Sequence, residues 1–193
     1  MSRNLKTHRR AWILAAIVLL AFGLRLHRLG SESLWYDETV SVHLAGKSVP
    51  DLVAHTAGDI HPPGYYLLLH VWTRLAGSSD FAVAFLSLFF GVLLVALAYW
   101  LGARVFGANA GVLAAFLVAI SPYNVWYSQE VRMYTLLVTL TLCSSYLLWL
   151  ALEDANTVSR RWKWAGVTVT LILALYTHYF AVFILVFQIV YTL

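Results

Sequence analysis

Long apolar stretches separated by short polar segments dominate the chain. Five stretches carry little charge, namely residues 11–29, 81–101, 110–127, 133–152 and 164–190. A helix needs about 20 apolar residues to cross the hydrocarbon core of a bilayer, and these stretches are close to that length. The pattern therefore predicts five transmembrane helices. Polar residues at Tyr176–Tyr179 interrupt the last stretch, which leaves open whether it forms one helix or two shorter ones.

Residues 30–80 have a different character from the apolar stretches. They hold six of the nine acidic residues and four of the seven histidines. Their pattern predicts two short helices on the membrane surface, at Tyr36–Gly46 and Gly64–Ala76. The second is about 20 Å long and too short to span a bilayer, and His70 and Arg74 share one side of it. We therefore expect a long outer loop with interfacial helices.

Composition excludes several classes of protein. Of the 193 residues, 61% are apolar and 11% are charged, whereas a soluble domain is about a quarter charged. A soluble globular domain, a disordered tail and a disulfide-stapled module are thereby excluded. The single cysteine, Cys143, is interpreted as a small buried packing residue. We predict an all-α polytopic transmembrane bundle that forms one domain over residues 1–193.

The distribution of basic residues predicts the orientation. A basic N-terminus before a short apolar run is also typical of a signal peptide, but no small-residue cleavage site follows. We interpret the first stretch as an uncleaved span, with Arg25 and Arg28 snorkelling at its far end. With the N-terminus inside, eight basic residues lie inside and five outside, as the positive-inside rule requires. The inner ones are Arg3, Lys6, Arg9, Arg10, Arg104, Arg160, Arg161 and Lys163, and the outer ones are Arg25, Arg28, Lys47, Arg74 and Arg132.

Two groups of candidate residues lie in the predicted outer loop. Asp37 and Glu38 follow the first span directly, and a carboxylate near low dielectric can act as a general base. The alternative is a solvated loop charge, with Asp37 capping a helix. His61 precedes two prolines that open a helix, where it can bind phosphate, ligate a metal or transfer a proton. The alternative is a rigid turn with a surface histidine.

Two further groups lie near the later spans. Glu130 and Arg132 fall at the outer edge of the membrane, where ionisable residues suggest function; the alternative is a simple interface ion pair. His178 lies within an apolar stretch and can contact a lipid phosphate or a metal, or can be a buried, hydrogen-bonded histidine. Arg25 and Arg28 either orient the acidic loop or anchor the span. We expect Asp37, Glu38, His61, Glu130 and Arg132, with His178 as a further candidate, to face one outer-leaflet cavity that handles an anionic lipid-linked substrate.

The ordered motifs resemble a known family. They are the Asp-Glu pair, then His-Pro-Pro-Gly-Tyr-Tyr, then Tyr-Ser-Gln-Glu-Val-Arg-Met-Tyr, then Tyr-Thr-His-Tyr. From about Leu24 to its end, the chain resembles glycosyltransferase family 39. That family is related to the protein O-mannosyltransferases and to the aminoarabinose transferase of lipid A, and has the C-type fold of membrane glycosyltransferases. Because the chain ends within an apolar stretch, we expect it to be the N-terminal portion of a longer protein.

The resemblance implies a mechanism and a set of roles. Such enzymes transfer a sugar from a polyprenyl-phosphate donor to a lipid, glycan or protein acceptor, with inversion at the anomeric carbon. Asp37 matches the catalytic base and Glu38 its partner. His61, Glu130, Arg132 and His178 match donor-phosphate or substrate-binding positions, His178 most loosely. A divalent cation is permitted without being required, and Glu38, His61 and Glu130 are its candidate ligands.

The predicted setting is the cell membrane, with several spans, a cytoplasmic N-terminus and an active site on the outer face. We expect contacts with membrane lipids and none with nucleic acid, because the net charge of +4 is explained by topology. Two other functions remain open. A non-catalytic scaffold or lipid-binding subunit would keep the helices without the chemistry. A transporter would place its charges near the bilayer midplane, whereas here they gather at one face.

Overall fold

A computed structural model gives the backbone of residues 2–193 and the side chains of residues 8–193. Met1 and the side chains of the predicted cytoplasmic residues Arg3 and Lys6 lie outside the described residues. Residues 2–193 contain helices and no strands, so the fold is all-α as predicted. The helices are α1 (Ser2–Leu26), α2 (Tyr36–Gly46), α3 (Val49–Thr56), α4 (Gly64–Ala76), α5 (Asp80–Phe106), α6 (Ala108–Ile120), α7 (Pro122–Tyr127), α8 (Tyr134–Glu153), α9 (Thr157–Thr177) and α10 (Ala181–Thr192).

Side-chain caps set where several helices begin. Ser48, Ser79, Ser121 and Asn156 precede α3, α5, α7 and α9, and each accepts a hydrogen bond from a backbone N–H of the first turn. These N–H groups have no partner within the helix. The sequence analysis did not identify α3, although Ser48 and Asp51 have the spacing of a capping box.

The observed bounds test the predicted helices. The helices at Tyr36–Gly46 and Gly64–Ala76 are confirmed at those bounds, while their position at a membrane surface stays a prediction. The stretch 110–127 is not one helix, because Ser121 caps a new helix there and Pro122 begins it. The last stretch divides into α9 and α10. In the part of the chain described, α5 and α8 are long and apolar enough to span a membrane, and α6 and α10 are apolar but shorter.

The helices pack around α5, which contacts α1, α4, α6 and α8, while α9 and α10 pack against α8. Polar contacts collect at the two ends of this bundle. At one end, Arg104 pairs with Glu153 at 2.6 Å and Lys163 pairs with Asp154 at 2.5 Å. The opposite end carries α2, α4 and α7, and all the candidate site residues. Because successive helices run in alternating directions, all the candidate site residues lie at the same end of the bundle.

Arg25 corrects one expectation. Its side chain does not snorkel, because the residue is 0% exposed. Its Nε donates to Ser128 Oγ at 3.1 Å, and its Nη1 donates to the Ala119 carbonyl at 3.0 Å. That carbonyl lies in the last turn of α6, where carbonyl groups lack intrahelical partners. By contrast, Arg28 is exposed and pairs with Glu32 at 3.5 Å. Arg25 therefore joins α1 to the end of α6 and to the turn after α7.

We expect Arg25→Leu to lower the free energy of unfolding by about 3 kcal/mol, because the buried acceptors it binds would lose their donor. Unfolding of the purified protein in nanodiscs measures this change. Arg28→Leu is the matched control, and we expect a change within about 0.5 kcal/mol at that exposed site. Equal effects of the two substitutions would contradict a joining role for Arg25.

Candidate active site

Asp37 and Arg132 form the centre of the candidate site. Asp37 lies in the first turn of α2, and Arg132 lies in the turn that leads into α8. Arg132 Nη2 is 3.6 Å from Asp37 Oδ2, and Nη1 donates to the Asp37 carbonyl at 3.2 Å. The Arg132 side chain is 6% exposed and that of Asp37 is 39% exposed. The buried Nε of Arg132 has no hydrogen-bond partner among the described residues, so this guanidinium keeps a donor for another acceptor.

Glu38 holds the turn before α8 against the start of α2. The residue is 6% exposed. Its Oε1 accepts a hydrogen bond from the Val131 N–H at 2.7 Å, and its Oε2 accepts one from the Trp35 N–H at 3.1 Å. A carboxylate at a helix N-terminus is favoured by the free N–H groups there. Because both oxygens are engaged with the backbone, Glu38 fixes the position of its neighbours Asp37 and Arg132.

We expect Glu38→Gln to lower the free energy of unfolding by about 1–2 kcal/mol, since the amide has one acceptor oxygen where two N–H groups require one each. Thermal unfolding in nanodiscs measures this loss. Glu38→Ala should cost more, because both N–H groups lose their acceptor. If Glu38→Gln keeps the stability of the natural protein and yet abolishes activity, Glu38 takes part in the chemistry itself.

Two histidines from distant parts of the chain meet beside this pair. His61 precedes α4, and His178 lies between α9 and α10. Their ring centroids are 5.5 Å apart in an edge-to-face arrangement. The Tyr134 ring lies 6.3 Å from His178 and 5.9 Å from Arg132 Cζ. The second and third sequence motifs and the His178 motif are thus brought together, and Tyr134 connects them.

Close packing of α4 on α9 makes the histidine contact possible. A Cβ atom on Gly64 would lie 2.5 Å from the Tyr176 carbonyl oxygen, which no real side chain tolerates. The backbone at the start of α4 therefore approaches the end of α9 directly. Since His61 and His178 flank this approach, the glycine of the His-Pro-Pro-Gly segment sets their separation.

The local field keeps His61 neutral near neutral pH. Burial lowers the pKa of His61 below its ordinary value of 6.5, and the charge of Arg132 lowers it further, while Asp59 and Asp37 oppose the shift. Burial likewise raises the pKa of Glu130. A neutral imidazole can donate one hydrogen bond and accept another.

A cavity of about 760 Å³ lies beside Glu38. Glu38 and Glu130 line it, together with Trp35 and Trp126, and Glu130 Oε1 accepts a hydrogen bond from Trp126 Nε1 at 2.6 Å. Only Glu38 and Glu130 of the candidate residues line this cavity, so the expectation that all of them face one cavity stays a prediction. The candidates outside this cavity lining are Asp37, His61, Arg132 and His178.

The candidate metal ligands do not form a complete site. Both oxygens of Glu38 accept backbone hydrogen bonds, and one oxygen of Glu130 accepts from an indole. His61 packs against the other histidine rather than beside these acids. Among the residues with described side chains, no three metal-ligating groups come together. Glu38, His61 and Glu130 therefore form no three-ligand set, and a divalent cation stays a prediction.

Sequence reasoning missed three contributors to the site, namely the buried Arg25 network, the Tyr134 ring and the indole walls of the cavity. Tyr134 is the last residue of the third motif, so its position was a usable signal. The two tryptophans could also have been identified from their positions, because Trp35 precedes the Asp-Glu pair and Trp126 lies one turn before Glu130. The sequence marked Arg25 as a charged residue at the end of a span but not its burial, since its partners Ser128, Ala119 and Val118 lie about 90–100 residues away.

The fold and the site together define the class of this protein. It is an all-α protein with apolar helices of membrane-spanning length. One end of its helix bundle carries acidic residues, a buried guanidinium and two imidazoles. The family model of dolichyl-phosphate-mannose-protein mannosyltransferases matches residues 60–193. The chain therefore belongs to this family, in agreement with the resemblance to glycosyltransferase family 39. Searches of curated proteins and of solved structures gave no match.

Proposed function

We propose that the protein is an inverting glycosyltransferase of the membrane that takes its sugar from a polyprenyl-phosphate donor. Membership of the family assigns glycosyl transfer as the general activity. The donor, the acceptor and the roles of individual residues are our proposals. The observation that carries them is the Asp37–Arg132 pair, in which a partly exposed carboxylate lies 3.6 Å from a buried guanidinium with an unused donor.

The proposed reaction divides between these two side chains. Asp37 accepts the proton of the acceptor hydroxyl while that oxygen bonds to the anomeric carbon. The bond between this carbon and the phosphate oxygen breaks, and polyprenyl phosphate leaves with the electron pair. Arg132 stabilises the charge that develops on the leaving phosphate. His61 and His178 complete the phosphate side, where the neutral His61 donates a hydrogen bond to a phosphate oxygen.

A multi-span membrane location is supported by where the apolar and polar side chains lie. Large apolar side chains such as Leu19, Phe183 and Val190 are more than half exposed, whereas Arg25 and Arg132 are buried. Exposed apolar surface on this scale is unfavourable in water and suits lipid. With the N-terminus in the cytoplasm, the end that carries Asp37 lies on the outer face.

Donor use tests this proposal. The full-length protein in nanodiscs is incubated with a panel of polyprenyl-phosphate sugars and, separately, with nucleotide sugars. We expect one lipid-linked sugar to be consumed with release of polyprenyl phosphate, and no nucleotide sugar to be consumed. Use of a nucleotide sugar, or of no donor, would overturn the donor proposal. In the second case a scaffold function becomes the better explanation.

A further inference from the structure

None of the four residues used in the proposed donor chemistry, Asp37, Arg132, His61 and His178, lines the cavity beside Glu38. Its volume of about 760 Å³ lies within the range of about 300–1,000 Å³ that is typical of small-molecule sites. Gly30 shapes its edge, because the residue has a φ of 70° and a Cβ atom there would lie 2.7 Å from the Phe81 nitrogen. Only glycine lets the loop pass so close to the start of α5.

The walls of this cavity combine two indoles with a free carboxylate oxygen. Trp35 and Trp126 line it and are 50% and 66% exposed. Flat aromatic faces pack against the C–H groups of sugar rings. Trp126 holds one oxygen of Glu130, and the other accepts no hydrogen bond among the described residues. A carboxylate oxygen beside an aromatic face accepts hydrogen bonds from sugar hydroxyls.

Charge disfavours an anion in this cavity. Its lining includes four carboxylates, from Glu32, Glu38, Asp80 and Glu130. The guanidinium of Arg28 also lines it, but is paired with Glu32 at 3.5 Å. Like charges repel strongly where water is partly excluded. A phosphorylated acceptor would therefore bind to this cavity more weakly than a neutral acceptor of the same size.

We propose that this cavity is the acceptor subsite and that it takes a neutral carbohydrate, with a sugar ring against Trp126 and a hydroxyl donating to Glu130. The inference rests on the proposed function. Asp37 does not line the cavity, but it is adjacent in sequence to Glu38, which does. The proposed base therefore lies one residue along α2 from the cavity lining.

Binding without donor tests the acceptor class directly. Radiolabelled neutral trisaccharides of glucose, mannose, galactose and N-acetylglucosamine are dialysed against the full-length protein in nanodiscs. We expect at least one to bind, and a 6-phosphorylated form of it to bind more weakly. Trp126→Ala and Glu130→Gln should each weaken binding about tenfold or more. Trp162→Ala is the matched control, because this tryptophan is 76% exposed near the start of α9, away from the cavity.

Several results would overturn the inference: no neutral trisaccharide binds, the phosphorylated form or a Ser/Thr peptide binds more tightly, or Trp126→Ala behaves like Trp162→Ala. Trp126→Phe and the unfolding temperature show whether a variant has failed only because it is misfolded. A separate measurement of donor consumption distinguishes failure of this inference from failure of the proposed function. Donor use without trisaccharide binding refutes the acceptor class alone, whereas trisaccharide binding without donor use refutes the donor proposal alone.

Discussion

Asp37→Asn is expected to lower the rate of sugar transfer by about 10²–10⁴-fold, which is the usual contribution of a positioned general base. The amide has the same shape as the carboxylate but cannot take a proton from the acceptor hydroxyl. The backbone carbonyl of Asp37 still accepts from Arg132 Nη1, as it does at 3.2 Å in the natural protein, so the turn should keep its position. We therefore expect the variant to fold normally and to bind the lipid-linked donor with little change.

Steady-state kinetics with the identified donor and acceptor measures this effect, which should fall on kcat more than on the donor KM. Asp51→Asn provides the matched control, because Asp51 is an exposed acid of the same polar segment whose Oδ2 bonds to Ser48. We expect nearly full activity from it. A variant at Asp37 that retains activity within a few-fold would rule this residue out as the base.

Local signals in the sequence were enough to predict most helices. Proline and glycine punctuation marks the start and end of Gly64–Ala76, and the polar break around His178 separates α9 from α10. What could not be predicted depends on tertiary contacts. Arg25 is next to an apolar run, which suggests snorkelling, yet the end of α6 supplies buried acceptors for it. His70 looked like part of a polar helix face, but it is buried and bonds to the Ala45 carbonyl.

For the candidate site as well, the sequence predicted what depends on local order along the chain and did not predict what depends on tertiary contacts. The motifs identified the residue types and their common end of the bundle, because alternating helix directions follow from the order of the spans. The resemblance gave Asp37 the role of base and Glu38 that of its partner, but the motifs did not show what each carboxylate contacts. Asp37 and Glu38 are neighbours in sequence, yet one is paired with a guanidinium and the other with two backbone N–H groups. That difference arises from the fold of the turn before α8, which lies some 90 residues further along the chain.

Arg132→Gln is expected to weaken donor use about 10–100-fold, because hydrogen bonds to charged groups contribute about 1.5–3 kcal/mol. The loss should appear as a higher donor KM and a lower kcat, since the guanidinium binds the phosphate before and after the sugar leaves. The side chain is also the cation beside Asp37. Arg132→Lys would keep the charge but lose the planar set of donors, and should recover only part of the activity.

Arg74→Gln is the control for this substitution, because Arg74 is an exposed arginine in the last turn of α4. It removes the same charge from the same end of the bundle, so a general electrostatic effect would appear in both variants. Measurements at low and high salt add a second distinction, because screening weakens long-range attraction far more than a buried contact. If Arg132→Gln raises the donor KM no more than Arg74→Gln does, Arg132 is only a structural partner of Asp37, and another group must bind the phosphate.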